Sequence, residues 1–138
     1  MGAVMVESGL SKSLGDWLLA TLDLKPGEDA RNFGILVAMS TLTGVVTTNP
    51  GQPAVLAPLF GHIAEATGWP VKTALMTMAI GFTTMVLPHQ VPPLVVGLHV
   101  AGISVRDALR MSVPIAVVSV LVLVPLDYLW WRLIGMFG

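Results

Sequence analysis

Two long apolar runs dominate the chain, and each is broken near its middle. No Asp, Glu, Lys or Arg occurs between Arg31 and Glu65, or between Lys72 and Arg106, so each window holds 33 uncharged residues. About 20 apolar residues already cross a bilayer as a helix. TTNPGQP at 47–53 interrupts the first run and LPHQVPP at 87–93 the second. Unpaired backbone in hydrocarbon is costly, so a broken helix persists there only around a cavity lined by protein or water. Apolar segments interrupted by Pro and Gly point to the binding sites of transporters. The alternation of polar and apolar faces that marks a soluble core helix is missing from both runs.

The same pattern sets the expected elements. Residues 1–24, with Leu14, Trp17, Leu18 and Leu22 at helical spacing, predict a short interfacial helix or the tail of a span begun elsewhere. KPGEDAR at 25–31 reads as a polar loop, followed by apolar arms over 33–48 and 54–67. An arm of about 15 residues covers roughly 22 Å, short of the ~30 Å hydrocarbon core. The arms therefore predict a re-entrant hairpin over 33–67, with one kinked, overlong span as the alternative. Trp69 suits a headgroup level and Pro70 the first position of a helix. That helix is expected over 71–87, broken at 88–93 and resumed over 94–103. SVRDALR reads as a loop at 104–111, and a last span runs over 112–134.

These elements divide the chain into an interfacial helix and loop (1–31), a half-repeat of hairpin and broken helix (32–111) and a terminal helix (112–138). The positive-inside rule sends the loop with Arg106 and Arg110 to the cytoplasm. The hairpin mouth then faces outward, where Asp127, Tyr128, Trp130 and Trp131 form an interfacial belt.

Composition narrows the function. Apolar residues make up 54% and charged residues 11%, against about 25% charged in ordinary soluble proteins. A net charge of −1 gives no basic footprint for nucleic acid. With no cysteine, disulfides and Cys-ligated metal are excluded. Glu7 and the lack of a basic stretch before the first apolar residues do not read as a signal peptide. His62, His89 and His99 lack metal-ligand spacing; His89, inside the second break, reads as a lining residue or a proton-responsive group. No nucleophile–base, HExxH or phosphate-loop motif is present, so no enzyme activity is expected.

The breaks themselves carry candidate chemistry. The helices that end near residues 48 and 87 present carbonyls with partial negative charge, suited to a desolvated cation such as Na⁺. The helices that resume after them start with Pro53 and Pro92-Pro93, and their N-terminal ends favour an anion. Thr48, Asn49, Gln52, His89 and Gln90 are the polar side chains left to orient a substrate.

The pattern TxNxxxAxLxP (Thr47, Asn49, Pro53-Ala54, Pro58), followed by MAIGFTTMVLPHQVPPLVVGLHVAGISVRDALRMS, resembles the C-terminal part of divalent anion:sodium symporters. These belong to an ion-transporter superfamily that includes citrate and arsenite permeases. The resemblance covers residues 33–125, with a weaker likeness at ESGLSKSLGDWL. It implies a Ser-Asn-Thr-type hairpin tip at Thr48, Asn49 and Pro50, where Pro50 departs by lacking hydroxyl and N–H. It implies substrate contacts at Thr48, Asn49, Pro50, Gln52 and Pro93. Sodium ligands would be backbone groups at Gly44, Thr47, Gln90 and Pro92 with the Asn49 side chain.

Members of that family are longer and hold two inverted repeats, each with one hairpin and one broken helix. This chain has one of each. The expectation is an all-α, multi-pass inner-membrane protein, the second half-repeat of an inverted-repeat transporter. A missing N-terminal half or a separate chain would complete it, and the intact protein would be a homodimer. It would move a di- or tricarboxylate or another anion with Na⁺. Two alternatives are a small non-transporting membrane subunit and an H⁺-coupled anion permease.

Overall fold

An apolar cluster, buried side-chain hydrogen bonds and close helix crossings hold this fold together. The structure, a computed structural model, describes residues 20–138; the described residues form helices and no strand. Most of the expected interfacial helix therefore lies outside the described residues.

Helix α1 (Asp29–Val46) begins four residues ahead of the apolar arm. Asp29 in its first turn complements the positive end of the helix dipole, so KPGEDAR is only half a loop. The other half is tied down. Asn32 donates to the Lys25 carbonyl at 2.7 Å, and Arg31 reaches Asp23 at 2.9 Å and Glu28 at 2.8 Å. The Arg31 guanidinium and the Lys25 ammonium beside Asp23 hold its carboxyl below the usual range.

At the far end of α1, Thr47 and Thr48 are extended and Asn49–Gly51 form a 3₁₀ turn. The chain returns through α2 (Gln52–Leu56), a second 3₁₀ turn at Ala57–Leu59, and α3 (Phe60–Thr67). Pro53 and Pro58 lack the N–H that an uninterrupted helix would use. Gly68 then closes α3 with φ +74°, a left-handed turn that favours glycine. The two arms bend by 119°. Trp69 Nε1 donates to Asp29 Oδ1 at 2.7 Å, which brings the end of the return arm to the start of α1. That contact closes residues 29–69 on themselves, as the expected hairpin would. Phe33, Leu36 and Val37 pack inside it against Leu59, Phe60 and Ile63.

Helix α4 (Val71–Thr83) runs along α1 and crosses it closely. A Cβ on Gly81 would lie 2.4 Å from Ser40 Cβ and 2.9 Å from the Thr41 nitrogen. Ser40 Oγ donates to the Met78 carbonyl at 3.1 Å across the same crossing. Small residues at helix crossings are the membrane-protein solution to close approach.

The helix stops at Thr83, short of the expected residue 87. The hydroxyls of Thr83 and Thr84 turn back to the Ile80 carbonyl at 2.8 and 3.2 Å. Pro88 disfavours helical geometry at Leu87, which is extended. After a 3₁₀ turn at Pro88–Gln90, helix α5 (Pro92–Val100) starts on its two prolines.

SVRDALR is not a loop. Ser104 caps α6 (Val105–Val118), its hydroxyl accepting from the Asp107 N–H at 3.2 Å, so Arg106 and Arg110 ride on the helix's first turns. A π turn (Ser119–Leu123) joins α6 to α7 (Val124–Leu133), giving 29 continuous helical residues, long and apolar enough to cross a bilayer. Val124 N–H bonds to the Ser119 carbonyl across the widened turn. Pro125 follows at once, and the extra width relieves its ring against the preceding carbonyl.

The end of α7 docks on the hairpin mouth. Phe33 meets Trp131 edge-on at 5.2 Å, Trp69 meets Phe137 at 4.9 Å, and Tyr128 meets Phe137 at 5.6 Å. Thr73 Oγ1 donates to the Met136 carbonyl at 2.5 Å. Away from this cluster α5 buries no residue, and Val96, Val100, Ile115 and Leu121 are exposed.

Candidate substrate and cation site at the two helix breaks

The two interruptions, distant in sequence, are stitched together. Asn49 Nδ2 donates to the Phe82 carbonyl at 3.0 Å, linking the hairpin tip to the end of α4. His89 Nε2 lies 2.9 Å from the Val45 carbonyl, linking the second break to the end of α1. Gln52 Nε2 donates to the Ser40 carbonyl. Ser112 Oγ of α6 donates to the Val86 carbonyl at 3.1 Å. Carbonyls at or near both breaks are thus already engaged by side chains.

Gly44 is the meeting point. A Cβ there would stand 2.6 Å from Gln52 Nε2 and 3.0 Å from Gln90 Nε2, so only glycine leaves both amides their place. Gln90 is fully buried and self-locked: its Oε1 accepts from Val86 N–H at 2.7 Å and Leu87 N–H at 2.6 Å. That lock supplies the backbone partners the broken helix lost, and it fixes the amide Nε2 toward Gly44.

Among the described residues three buried polar side-chain atoms remain without a protein partner: Asn49 Oδ1, Gln52 Oε1 and Gln90 Nε2. Two are oxygen acceptors and one is a donor. Such groups cost about 1–3 kcal/mol each when left unmade. Gln52 and Gln90 meet at Gly44, and Asn49 is tied to the end of α4; uncharged amides of this kind can accept a cation or orient a polar ligand.

Thr47 Oγ1 donates to the Thr43 carbonyl at 2.7 Å, capping α1. Thr48 is half-buried, while Pro50, Pro92 and Pro93 are exposed. The expected anion-binding N–H groups are absent at α5. Pro92 and Pro93 have none, and Leu94 and Val95 both bond to the Val91 carbonyl. What that end offers an anion is its dipole. Sequence reasoning missed Ser40, Gly81, Thr84 and Ser112. Small or hydroxyl side chains inside uncharged helices were the available signal.

The two helix breaks thus meet at buried, uncharged amides, beside an apolar helix long enough to cross a bilayer. The family model described as the sodium:sulfate symporter transmembrane region matches residues 1–137, and the chain belongs to that family. A Haemophilus influenzae protein described only as an uncharacterized transporter is 26% identical over 133 residues, 95% of this chain and 28% of the relative. The chain thus spans under a third of that relative's length. No solved structure matches.

Proposed function

We propose that this chain forms one half of the binding centre of a secondary active anion transporter of the inner membrane, coupled to Na⁺. The observation that carries it is the meeting of the Gln52 and Gln90 amides at Gly44, with Asn49 bonded to the end of α4 and a buried, unpartnered polar atom on each of the three. Asn49 Oδ1 is the side-chain oxygen for the cation, joined by backbone oxygens near Gly44, Thr47, Gln90 and Pro92. Hard oxygen ligands of this kind suit Na⁺ and need no charged side chain. Thr48, Asn49, Pro50, Gln52 and Pro93 face the anion, an inorganic oxyanion of the class in the family's description or a di- or tricarboxylate. The second half-site comes from a further part of a longer protein or from another chain. Residues 32–111 act as the moving unit, carrying the site across the membrane within a homodimer.

The test is uptake of labelled sulfate and of labelled succinate by the whole permease in liposomes under an imposed Na⁺ gradient. Asn49→Ala is expected to cut Na⁺-driven uptake at least tenfold, about 1.4 kcal/mol of binding, with normal insertion. Full uptake by the variant would remove the cation site from Asn49. Uptake that follows a pH gradient and ignores Na⁺ would assign H⁺ coupling, a reading that His89 against the Val45 carbonyl makes specific. A permease that takes up neither anion under either gradient would return the chain to the non-transporting subunit reading.

A further inference from the structure

Asp127 reads from sequence as part of an interfacial belt, with a place in a proton path as the alternative. Thr73 of α4 meets Met136 beside the aromatic cluster. Asp127 lies level with the point where α4 breaks. It lines a cleft of about 160 Å³ with Thr83, Thr84 and Ser119, closed on its apolar side by Ile80 and Leu123.

Asp127 makes no hydrogen bond or ion pair among the described residues. Tyr128 packs on Phe33 and Phe137, and Arg110 pairs with Asp107. No second titratable group lines the cleft. The hydroxyls of Thr83 and Thr84 spend their protons on the Ile80 carbonyl, which leaves their lone pairs facing outward as acceptors. Ser119 sits at the start of the π turn, whose widening opens the wall opposite the α4 terminus. π turns recur at functional sites. The cleft is thus acceptor-rich: one carboxylate, three hydroxyl oxygens and the negative end of the α4 dipole.

We propose that the Asp127 cleft binds a monovalent cation, Na⁺ or a proton, at a second coupling site separate from the Asn49–Gly44 centre. It rests on the transporter reading for its role, though not for its binding. Occupancy neutralises the carboxylate and bridges α7 to the end of α4, so loading the cleft governs whether the broken helix and the terminal helix move together.

The experiment uses the full-length permease in liposomes. Modification of Asp127 by a hydrophobic carbodiimide is followed by mass spectrometry at fixed pH in Na⁺ or choline, and then across pH in choline. Slowing at least threefold by Na⁺ over choline assigns sodium. No Na⁺ effect, with a modification midpoint at least one pH unit above the ordinary carboxylate value near 3.9, assigns the proton. Indifference to Na⁺ with an ordinary midpoint overturns the proposal. In parallel, Asp127→Asn is expected to raise the half-saturating cation concentration for uptake at least fivefold, with Asp127→Glu restoring most of it. Unchanged cation and pH dependence in Asp127→Asn would also overturn it. If wild type shows no cation-driven uptake while Na⁺ still protects Asp127, the transporter reading fails and the binding site stands.

Discussion

Gln90 illustrates how one side chain substitutes for a missing stretch of helix. Its carbonyl oxygen takes two backbone N–H groups at the second break, and its burial keeps water from replacing them. Gln90→Leu keeps the bulk and removes the acceptor. It is expected to strand two buried donors and destabilise the protein by at least about 2 kcal/mol, seen as a lower unfolding temperature of the purified permease in detergent. An unchanged temperature would mean that Val86 and Leu87 do not depend on this amide. Gln90 was legible in the sequence as a polar residue between prolines. Its partners were not, because a glutamine's two functions are assigned only by what surrounds it. Gly44 was named through family resemblance alone, and its need for a bare Cα appears only once Gln52 and Gln90 are placed.

Between elements, the α1–α4 crossing at Ser40 and Gly81 holds the two breaks in register. Gly81→Ala would drive a methyl into Ser40 and the Thr41 backbone, and overpacking of this kind costs about 1–3 kcal/mol. Gly97 in α5 has nothing within 4 Å of its added Cβ. Gly97→Ala should be neutral or gain up to about 1 kcal/mol from helix propensity. Thermal unfolding of the two variants side by side checks the contrast, and equal losses would mean that the crossing is not tight. Element boundaries show what local signals miss. The Ser104-x-x-Asp107 cap was in plain view, yet two arginines made its helix read as a loop. The early stop of α4 came from threonine hydroxyls bonding backward, an option that competes with helix continuation only when the next turn is already lost at Pro88.

For the whole molecule, the decisive question is which ends share a side of the membrane. Trp69 bonded to Asp29 puts both hairpin ends together, and the helix Val105–Leu133 carries Arg106 to the opposite end from the aromatic cluster. The chain contains no cysteine, so single-cysteine labelling of its positions is clean once cysteines elsewhere in the permease are removed. Glu28→Cys and Glu65→Cys should react with an impermeant maleimide from the same side, and Arg106→Cys from the other. Labelling of positions 28 and 65 from opposite sides would replace the re-entrant hairpin with a crossing. The exposed apolar faces of α5 and α6 have room for lipid or for the rest of a transporter, in keeping with a chain that covers 28% of its relative.

What the sequence determined alone was where helices cannot continue and where charge is not tolerated. Proline, glycine and hydroxyl side chains act within a few residues of themselves, so both breaks, the apolar runs and the uncharged character of the site could be read directly. What only the tertiary structure decided was which of these groups meet. Asn49 finds Phe82 33 positions away and His89 finds Val45 44 positions away, contacts set by how α1 and α4 cross. Asp127 lines a cleft with the end of α4 for the same reason. The depth and direction of a side chain depend on what its helix packs against, and no local pattern encodes that.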